Sequence, residues 1–427
     1  MTSDIAQSLS VTGPTRLVGR LEVPGDKSIS HRAILLSALA DGRSSLRGLS
    51  DGADVGHTLA AVIALGAEVA STDDGVRITG GRLRPADQVI DVGNSGTGIR
   101  LLAGVAAGLA FRTELDGDAS IRSRPMDRIA TPLRLMGAEI GGPSGGAFAP
   151  LVISGGGLHG IDYSTPVASA QVKSAILLAG IAADGTTVVR EPAVSRRHTE
   201  QMLLARGADL TVDGTTTSVR RSALKPLDES VPGDPSQAAF WIAGAAAVPG
   251  SEVTITNVYL GAARDGFLDV LRRMGAELHV ISEAGGAFAV QVRGTQLRAT
   301  DIEPEEVPGL VDEIPALAVA AALAIGVTRI RGAAELRVKE SDRIATIAEM
   351  LTGFGVRVAE HSDGLDITGG SSLQPARVDC HGDHRIAMAA AIAATAAPGS
   401  SRIDGFDAVA TSYPAFADHL ALLSVGA

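Results

Sequence analysis

The sequence predicts an α/β protein of two similar domains, each built from three copies of one helix–strand–strand unit. A pattern of an amphipathic helix, a glycine step and two strands around a polar turn recurs about every 70 residues along the chain. A Pro-Gly-Asp turn that leads into an apolar helix begins at Pro24 and again at Pro232, which is 208 residues later and close to half of the 427-residue chain. A chain of this length also favours two hydrophobic cores over one.

The repeat can be recognised in the sequence because a glycine, here called a glycine step, follows each amphipathic helix. Glycine is the residue that most readily takes the left-handed conformation in which helices commonly end. These steps lie at Gly66, Gly137, Gly207, Gly275 and Gly355.

A sixth helix, Ala415–Leu423, is followed by almost no chain, so its repeat lacks strands. Two short strands at the other end, Ser8–Val11 and Arg16–Leu21, lack a helix. We predict that these two strands form a hairpin that completes the sixth repeat, which places both termini in one domain. The predicted domains are residues 1–21 plus 235–427 and residues 24–230, joined by a double hinge at 21–24 and 231–235.

Composition and charge exclude several classes of function. The net charge of −11 disfavours nucleic acid or an anionic membrane surface as a partner, and an aromatic content of 3% disfavours stacking on bases. Cys380 is the single cysteine, so no internal disulfide is expected and a reducing cytoplasm fits. Met1–Ser10 has no signal-peptide pattern, and no apolar run reaches membrane-span length. We therefore expect a cytoplasmic monomer.

The stretch Pro24–Arg32 has the features of an anion-binding helix start. Its Pro-Gly pair breaks the preceding strand, and Lys27, Ser28 and Arg32 then open an apolar helix. Free backbone N–H groups and the helix dipole favour an anion there. The spacing differs from a Walker loop, and an ordinary capped helix with solvated charges is the alternative interpretation.

Further polar segments are paired between the two halves of the chain, and each precedes an apolar helix. The pairs are Asn94–Arg100 with Asp312–Pro315, Arg124–Ile129 with Lys339–Ile344, and Ser169–Lys173 with Gly382–Arg385. Pseudo-symmetry predicts that they face one another across a cleft between the domains, and their concentrated basic charge indicates small, multiply anionic ligands. Each segment alone is compatible with simple helix capping. His381 and His384 lack a third metal ligand nearby, so no metal is expected.

Together these motifs resemble the 5-enolpyruvylshikimate-3-phosphate synthase family, over essentially the whole chain. The resemblance implies two domains of three βαβαββ units each, arranged as an inside-out α/β barrel, that close on the substrates. Within the family, Gly25–Lys27, Ser169–Lys173 and Arg196–Glu200 are similar to the second, glyphosate-tolerant class. The class motif Asn-x-x-Arg is replaced by Gly261–Arg264, and the late lysine of one branch is Thr411 here.

The resemblance implies transfer of the carboxyvinyl group of phosphoenolpyruvate to the 5-hydroxyl of shikimate 3-phosphate, with release of phosphate, through a tetrahedral intermediate and without a cofactor. The residues that it assigns to shikimate 3-phosphate are Lys27, Ser28, Arg32, Ser169, Ala170, Gln171, Arg196, Asp312 and Lys339. Those that it assigns to phosphoenolpyruvate are Lys27, Gly96, Arg124, Gln171, Arg343, His384 and Arg385.

The catalytic roles implied by the resemblance fall on Lys27, Asp312 and Glu340. Asp312 would accept the proton of the hydroxyl that Lys339 holds, and Glu340 would protonate the methylene carbon. Gly96 stands where the second class often has alanine, so we predict that glyphosate inhibits this protein despite its class motifs.

Two other functions are compatible with the same architecture. A UDP-N-acetylglucosamine enolpyruvyl transferase usually has an active-site loop cysteine and an asparagine after the first lysine, whereas Ser28 follows Lys27 here. A non-catalytic anion-binding clamp would have no need of Asp312, Lys339 and Glu340.

Overall fold

A computed structural model of the chain describes residues 7–261 and 263–426. Residues 1–6 of the predicted segment 1–21, Ala262 in the Gly261–Arg264 motif, and Ala427 lie outside the described residues. The chain forms two compact units: Met1–Pro24 with Pro232–Ala427, here called the split unit, and Gly25–Val231, the continuous unit.

Most of the α-helices begin at the polar segments singled out in the sequence. In chain order they are α1 (Lys27–Leu39), α2 (Ala53–Ala64), α3 (Gly96–Gly108), α4 (Ala119–Ser123), α5 (Asp127–Leu135), α6 (Pro143–Gly146), α7 (Ala170–Gly180), α8 (His198–Ala205), α9 (Pro235–Ala247), α10 (Gly266–Arg273), α11 (Ile314–Leu323), α12 (Arg343–Gly353), α13 (His384–Ala396) and α14 (Phe416–Leu423).

The β-strands are short and lie between these helices. In chain order they are β1 (Ser8–Gly13), β2 (Thr15–Glu22), β3 (Gly42–Arg47), β4 (Glu68–Thr72), β5 (Gly75–Gly80), β6 (Ile90–Asp91), β7 (Arg112–Asp116), β8 (Glu139–Gly141), β9 (Leu151–Ser154), β10 (Asp162–Ser164), β11 (Thr186–Arg190), β12 (Leu210–Asp213), β13 (Thr216–Arg220), β14 (Glu229–Ser230), β15 (Glu252–Val258), β16 (Glu277–Ser282), β17 (Phe288–Arg293), β18 (Asp301–Ile302), β19 (Gly326–Ile330), β20 (Arg357–His361), β21 (Gly364–Gly369), β22 (Arg377–Asp379), β23 (Gly399–Asp404) and β24 (Ser424–Gly426).

The continuous unit contains three four-stranded sheets with one common topology. Their strand orders are β14-β3-β5-β4, β6-β7-β9-β8 and β10-β11-β13-β12. In each sheet the first pair is parallel and the two following pairs are antiparallel. The first sheet is completed by β14 from the end of the unit, which pairs Glu229 with Leu46 of β3. The predicted repeat is therefore confirmed in this unit.

The split unit has this topology in two of its three sheets and corrects the prediction for the N-terminus. Its sheets have the orders β16-β17-β15-β2-β24, β18-β19-β21-β20 and β1-β23-β22. The predicted hairpin is wrong: β1 pairs antiparallel with β23, whereas β2 pairs with β15 in a different sheet. Only β1 supplies the sixth repeat, and a short strand after α14, β24, pairs with β2. Only Pro14 separates β1 from β2, whereas a hairpin needs a turn of about two residues, so the two strands pair with other partners.

The helices fall into a buried set and a peripheral set. Every residue of α9 is buried, as are all but the last of α13 and of α11. Helices that are apolar all round must lie inside a core. Phe416 of the peripheral helix α14 stacks on Trp241 of α9 with ring centroids 4.6 Å apart. Among the described residues, no helix is long and apolar enough to cross a membrane.

Glycines at strand ends pack against the last turns of the buried helices. A Cβ at Gly155, directly after β9, would lie 2.3 Å from the Ala107 carbonyl oxygen and 2.4 Å from that of Ala106 in α3. Equivalent contacts place Gly13, Gly80, Gly294 and Gly369 against the ends of α13, α1, α9 and α11. The five glycine steps of the sequence pattern all have positive φ, as predicted.

Candidate active site

The start of α1 is held by tight local contacts in the continuous unit. Asp26 is the N-cap, and its carboxylate accepts a hydrogen bond from the Ile29 amide at 2.8 Å. Gly25 is required here because a Cβ would lie 1.8 Å from the Gly48 carbonyl oxygen. The Lys27 ammonium pairs with the Asp54 carboxylate at 2.8 Å, with both side chains largely buried. This pair fixes the position of the lysine.

His31 links α1 to the next buried helix, α3. Its Nδ1 lies 2.7 Å from the Thr58 hydroxyl and its Nε2 lies 3.4 Å from the hydroxyl of Ser95, the N-cap of α3. Burial lowers the pKa of His31 well below 6.5, and the positive charges of Lys27 and Arg32 lower it further. The imidazole is therefore neutral at physiological pH.

Arg32 is 3% exposed and links three helices. Its Nη1 donates to the Ser28 carbonyl oxygen at 2.8 Å, within α1. Its Nε donates to the Thr199 hydroxyl of α8 at 2.6 Å, and its Nη2 donates to the Ser174 hydroxyl of α7 at 2.8 Å. The guanidinium is thus held in one orientation at the starts of these helices.

The first turns of α3 and α7 are joined through Gln171. Its Oε1 accepts a hydrogen bond from Arg100 Nη1 at 2.8 Å, and its Nε2 donates to the Thr97 hydroxyl at 2.9 Å. Ser169 is the N-cap of α7, and its hydroxyl accepts from the Val172 amide at 3.4 Å. Ala170 opens the same helix and is half-buried, as is Arg196 in the segment before α8.

Arg124 reaches the same region from the end of α4. Its Nη2 donates to the Asn94 side-chain oxygen at 2.8 Å and to the Ser120 hydroxyl at 3.1 Å. Gly96, the first residue of α3, lies against it, because a Cβ there would be 2.7 Å from Arg124 Nη1. The continuous unit therefore gathers Lys27, Arg100 and Arg124 close to helix N-termini, where an anion is favoured.

In the split unit, Arg343 is the centre of a cluster of carboxylates. It is 1% exposed and lies 2.7 Å from Glu340, 3.4 Å from Asp312 and 2.8 Å from Asp383. Burial alone would lower the pKa of Arg343, but the charges of Asp383, Glu340 and Asp312 outweigh it and raise that pKa. Burial alone would raise the pKa of Asp383, but the charge of Arg343 outweighs it and lowers that pKa. The guanidinium therefore stays charged and holds two of the predicted site residues.

Of the remaining predicted residues of this unit, Arg385 contacts the same cluster directly. Arg385 Nη1 donates to the Asp312 backbone carbonyl at 2.7 Å. His384 opens α13 and is buried, and Asp383 is the N-cap of that helix. Lys339 is half-buried and follows the 3₁₀ turn Ala334–Val338. Thr411, at the position of the late lysine, donates its hydroxyl hydrogen to the Ala408 carbonyl oxygen at 2.8 Å.

Sequence reasoning missed three partners of the predicted residues. Asp54 binds Lys27, Arg100 binds Gln171, and Asp383 binds Arg343. Arg100 and Asp383 lie within motifs that the sequence analysis singled out, so their motif membership was a usable signal. Asp54 has no such signal, because only the packing of α2 against α1 brings it to Lys27. Residues 7–261 and 263–426 contain no group of three or more His, Cys, Asp or Glu side chains that could hold a metal ion.

Chemically, the two units carry complementary sets of groups. The continuous unit offers cations and helix N-termini that bind anions. The split unit adds two partly exposed carboxylates, Asp312 and Glu340, held by one buried arginine. Binding and positioning of anions, together with proton transfer by carboxylates, is the chemistry that these groups support.

Comparisons with known proteins agree over nearly the whole chain. The model of the EPSP synthase (3-phosphoshikimate 1-carboxyvinyltransferase) family matches residues 11–420. A protein of Synechococcus sp. (strain JA-3-3Ab) named 3-phosphoshikimate 1-carboxyvinyltransferase is 49% identical, covering 97% of this chain and 96% of that protein. One of the same name from Herpetosiphon aurantiacus is 48% identical, covering 96% and 98%.

Solved structures agree with the fold. The EPSP synthase of Acinetobacter baumannii has a TM-score of 0.86 at 39% sequence identity and covers 98% of both chains. The enolpyruvyl transferase NikO from Streptomyces tendae has a TM-score of 0.80 at 19% identity, covering 97% of both chains, and at this identity it supports the fold alone.

Proposed function

The chain belongs to the EPSP synthase (3-phosphoshikimate 1-carboxyvinyltransferase) family, and we propose how its residues carry out the reaction of that family. The enzyme transfers the carboxyvinyl group of phosphoenolpyruvate to the 5-hydroxyl of shikimate 3-phosphate and releases phosphate. The transfer is an addition followed by an elimination, so a tetrahedral intermediate forms without a covalent bond to the protein. The protein must therefore bind two polyanions and move two protons.

Shikimate 3-phosphate is assigned to the starts of α1, α7 and α8 in the continuous unit. Ser28, Ser169, Ala170, Gln171 and Arg196 would contact it, and Arg32 would hold these helix starts in register and add positive charge. The hydrogen bonds from Arg32 to Thr199 and Ser174 support this assignment. In the split unit, Lys339 and Asp312 would contact the reacting hydroxyl.

Phosphoenolpyruvate is assigned to cations and their neighbours. The residues that would contact it are Lys27, Gly96, Arg124, Gln171, Arg343, His384 and Arg385. Charge-assisted hydrogen bonds to carboxylate and phosphate are stronger than neutral ones, which suits these arginines. Arg343 keeps its charge next to three carboxylates, which supports its place in the set.

The single observation that carries the catalytic assignment is the contact of Asp312 and Glu340 with one buried guanidinium. Asp312 would accept the proton of the 5-hydroxyl, and Glu340 would deliver a proton to the methylene carbon of phosphoenolpyruvate. Lys27 would stabilise the charge that develops on the substrate, from a position set by Asp54. Positioning and fixed charge would supply most of the rate acceleration.

A phosphate-release assay tests the proposal. Phosphate should appear only when phosphoenolpyruvate and shikimate 3-phosphate are both present, in a one-to-one ratio with the carboxyvinyl product. Phosphate release with phosphoenolpyruvate alone, or no release with both, would contradict it.

The organisation of the whole protein is part of the proposal. We assign its domains to residues 1–21 plus 235–427 and residues 24–230, with hinge segments at 21–24 and 231–235. We also propose a cytoplasmic monomer, for which light scattering should give a mass near 43.3 kDa.

A further inference from the structure

Beneath the starts of α7 and α8 lies a buried cluster of three charges that the proposed mechanism does not use. The Lys173 ammonium is 2.7 Å from the Glu191 carboxylate and 2.7 Å from the Glu200 carboxylate. The three side chains are 2%, 3% and 2% exposed. Lys173 and Glu200 belong to the first turns of α7 and α8, and Glu191 follows β11 directly. We call these three residues the lysine triad.

The second oxygen of Glu191 connects the lysine triad to the proposed phosphate-binding segments. Glu191 Oε1 accepts a hydrogen bond from the Ser195 hydroxyl at 2.6 Å and from the Ser169 amide at 3.3 Å. Ser195 is the immediate neighbour of Arg196, and Ser169 is the N-cap of α7. One carboxylate thus contacts both the neighbour of Arg196 and the N-cap of α7.

A second hydrogen-bond network lies beside the lysine triad and involves a residue adjacent to Lys173 and one adjacent to Glu200. Ser174 follows Lys173, and Thr199 precedes Glu200. The Ser174 and Thr199 hydroxyls lie 2.6 Å apart, and both accept hydrogen bonds from Arg32. Ser174 also donates to the Ala170 carbonyl oxygen, so the Thr199 hydroxyl is the donor between the two. Two adjacent networks therefore connect the starts of α7 and α8, and the second network also includes α1.

Stability alone does not account for the lysine triad. Buried ion pairs are costly to desolvate, and well-packed apolar residues of similar volume often give equal or greater stability. Three buried charges that sum to −1 next to a site for an anion are also unfavourable unless they perform a task. Charged groups can hold several hydrogen-bond donors in one geometry, which apolar groups cannot do.

We propose that Lys173, Glu191 and Glu200 are positioning residues for the phosphate-bearing acceptor: they hold Ser169 and Arg196 in the geometry that binds its phosphate. The inference rests on the proposed function, since the acceptor is the one assigned above. The triad touches neither the reacting hydroxyl nor phosphoenolpyruvate in that assignment. Its loss should therefore weaken acceptor binding and leave the chemical step largely intact.

The first test replaces the cation. Lys173→Met preserves the length of the side chain but leaves two buried carboxylates facing each other, so we expect the KM for shikimate 3-phosphate to rise about tenfold or more. The kcat and the KM for phosphoenolpyruvate should change less than about threefold. In Lys173→Met/Glu200→Gln the buried charge is again −1, and the KM should return most of the way to that of the wild type.

The second test uses Glu191 and does not depend on the folding of the lysine variants. Glu191→Gln retains an oxygen that can accept from Ser169 and Ser195, and Glu191→Met removes it. We expect the Met variant to raise the KM for shikimate 3-phosphate more than the Gln variant, which loses only the charged contact with Lys173. Asp162→Asn is the matched control, because its ion pair with Arg190 in the same sheet is exposed.

The outcomes separate the inference from the proposed function. A wild-type protein that neither binds shikimate 3-phosphate in calorimetry nor releases phosphate would contradict the proposed function. A wild type that does both, with folded Glu191→Met showing an unchanged KM for shikimate 3-phosphate, would overturn the positioning role. Parallel losses in kcat and in both KM values that follow the melting temperature would overturn it too, since they indicate a purely structural role.

Discussion

At the scale of single residues, Arg343 holds two carboxylates to which we assign different proton transfers. Asp312→Asn and Glu340→Gln keep the shape of each side chain and remove its ability to exchange a proton. We predict that each variant binds shikimate 3-phosphate with an affinity close to that of the wild type and loses turnover by about 10²–10⁴-fold, the usual contribution of general acid–base catalysis. Calorimetry and phosphate release measure the two quantities.

Glu252→Gln is the control for these variants, because Glu252 is an exposed acid of the same unit, paired with Arg293 at 3.2 Å. Its turnover should match that of the wild type. Near-wild-type turnover in Asp312→Asn or Glu340→Gln would remove that residue from the mechanism.

The prediction that glyphosate inhibits the protein depends on Gly96. A methyl group at this position would lie 2.7 Å from the Arg124 guanidinium, so alanine must displace a side chain assigned to phosphoenolpyruvate. We predict that glyphosate inhibits the wild type in competition with phosphoenolpyruvate, and that Gly96→Ala raises the inhibition constant more than the KM for phosphoenolpyruvate. Inhibition kinetics for both proteins decide this. A tolerant wild type would show that the glycine does not determine the response.

The buried His31 predicts how stability depends on pH. Its pKa is well below 6.5 in the folded protein, so below pH 6.5 the unfolded chain takes up a proton that the folded chain does not. Stability should therefore fall as the pH falls through 6.5, by up to about 1.4 kcal/mol per pH unit for this one proton. His31→Asn lacks the proton and should show a smaller loss between pH 7.5 and 5.5 in urea unfolding. Equal losses in both proteins would assign the dependence to other groups.

At the scale of secondary-structure elements, the strand-end glycines let the chain pass against the last turns of the buried helices. In Gly155→Ala the methyl group would meet two carbonyl oxygens of α3 at 2.3 and 2.4 Å. Overpacking of this kind costs about 1–3 kcal/mol, and we predict a loss of stability of this size in urea unfolding.

Gly141→Ala, in β8 of the same sheet, is the matched control. The nearest atoms to its added methyl group are 3.9 Å away, and removing a flexible glycine should stabilise the protein by about 0.4–1 kcal/mol. If both variants lost stability equally, the effect would come from glycine replacement in the sheet and not from the helix contact.

At the scale of the whole molecule, the continuous unit has the properties of an independently folding domain. Gly25–Val231 is unbroken in sequence, and its ends are held by the pairing of β14 with β3 and by a hydrogen bond from the Val231 amide to the Arg47 carbonyl oxygen at 2.9 Å. We predict that residues 25–231 produced alone fold cooperatively, as measured by circular dichroism and urea unfolding. They should bind shikimate 3-phosphate more weakly than the full chain and release no phosphate.

In the full chain, the fluorescence of the single tryptophan allows unfolding of one unit to be followed separately. Trp241 lies in the split unit, so its fluorescence reports unfolding of that unit, whereas circular dichroism reports both. A fragment that is unfolded, or that turns over phosphoenolpyruvate, would contradict the prediction.

Features that depend on a few neighbouring residues could be predicted from the amino-acid sequence alone. Helix starts at Lys27, Ala170 and His384 could be predicted because capping residues and apolar runs act locally. The glycine steps were predictable for the same reason, since a left-handed residue is needed wherever such a helix ends. Repetition of these local signals was sufficient to predict the α/β class, the number of repeats and the family resemblance.

Contacts between groups that are distant in sequence became known from the packing of the folded chain. Whether β1 and β2 pair with each other or with β23 and β15 depends on partners more than 200 residues away in sequence, and no local pattern distinguishes the two arrangements. The contacts of Asp54 with Lys27 and of Lys173 with Glu191 and Glu200 depend in the same way on how helices and strands pack. Sequence patterns predict which face of an element is buried, whereas the partner of a buried charge is set by the packing of the whole unit.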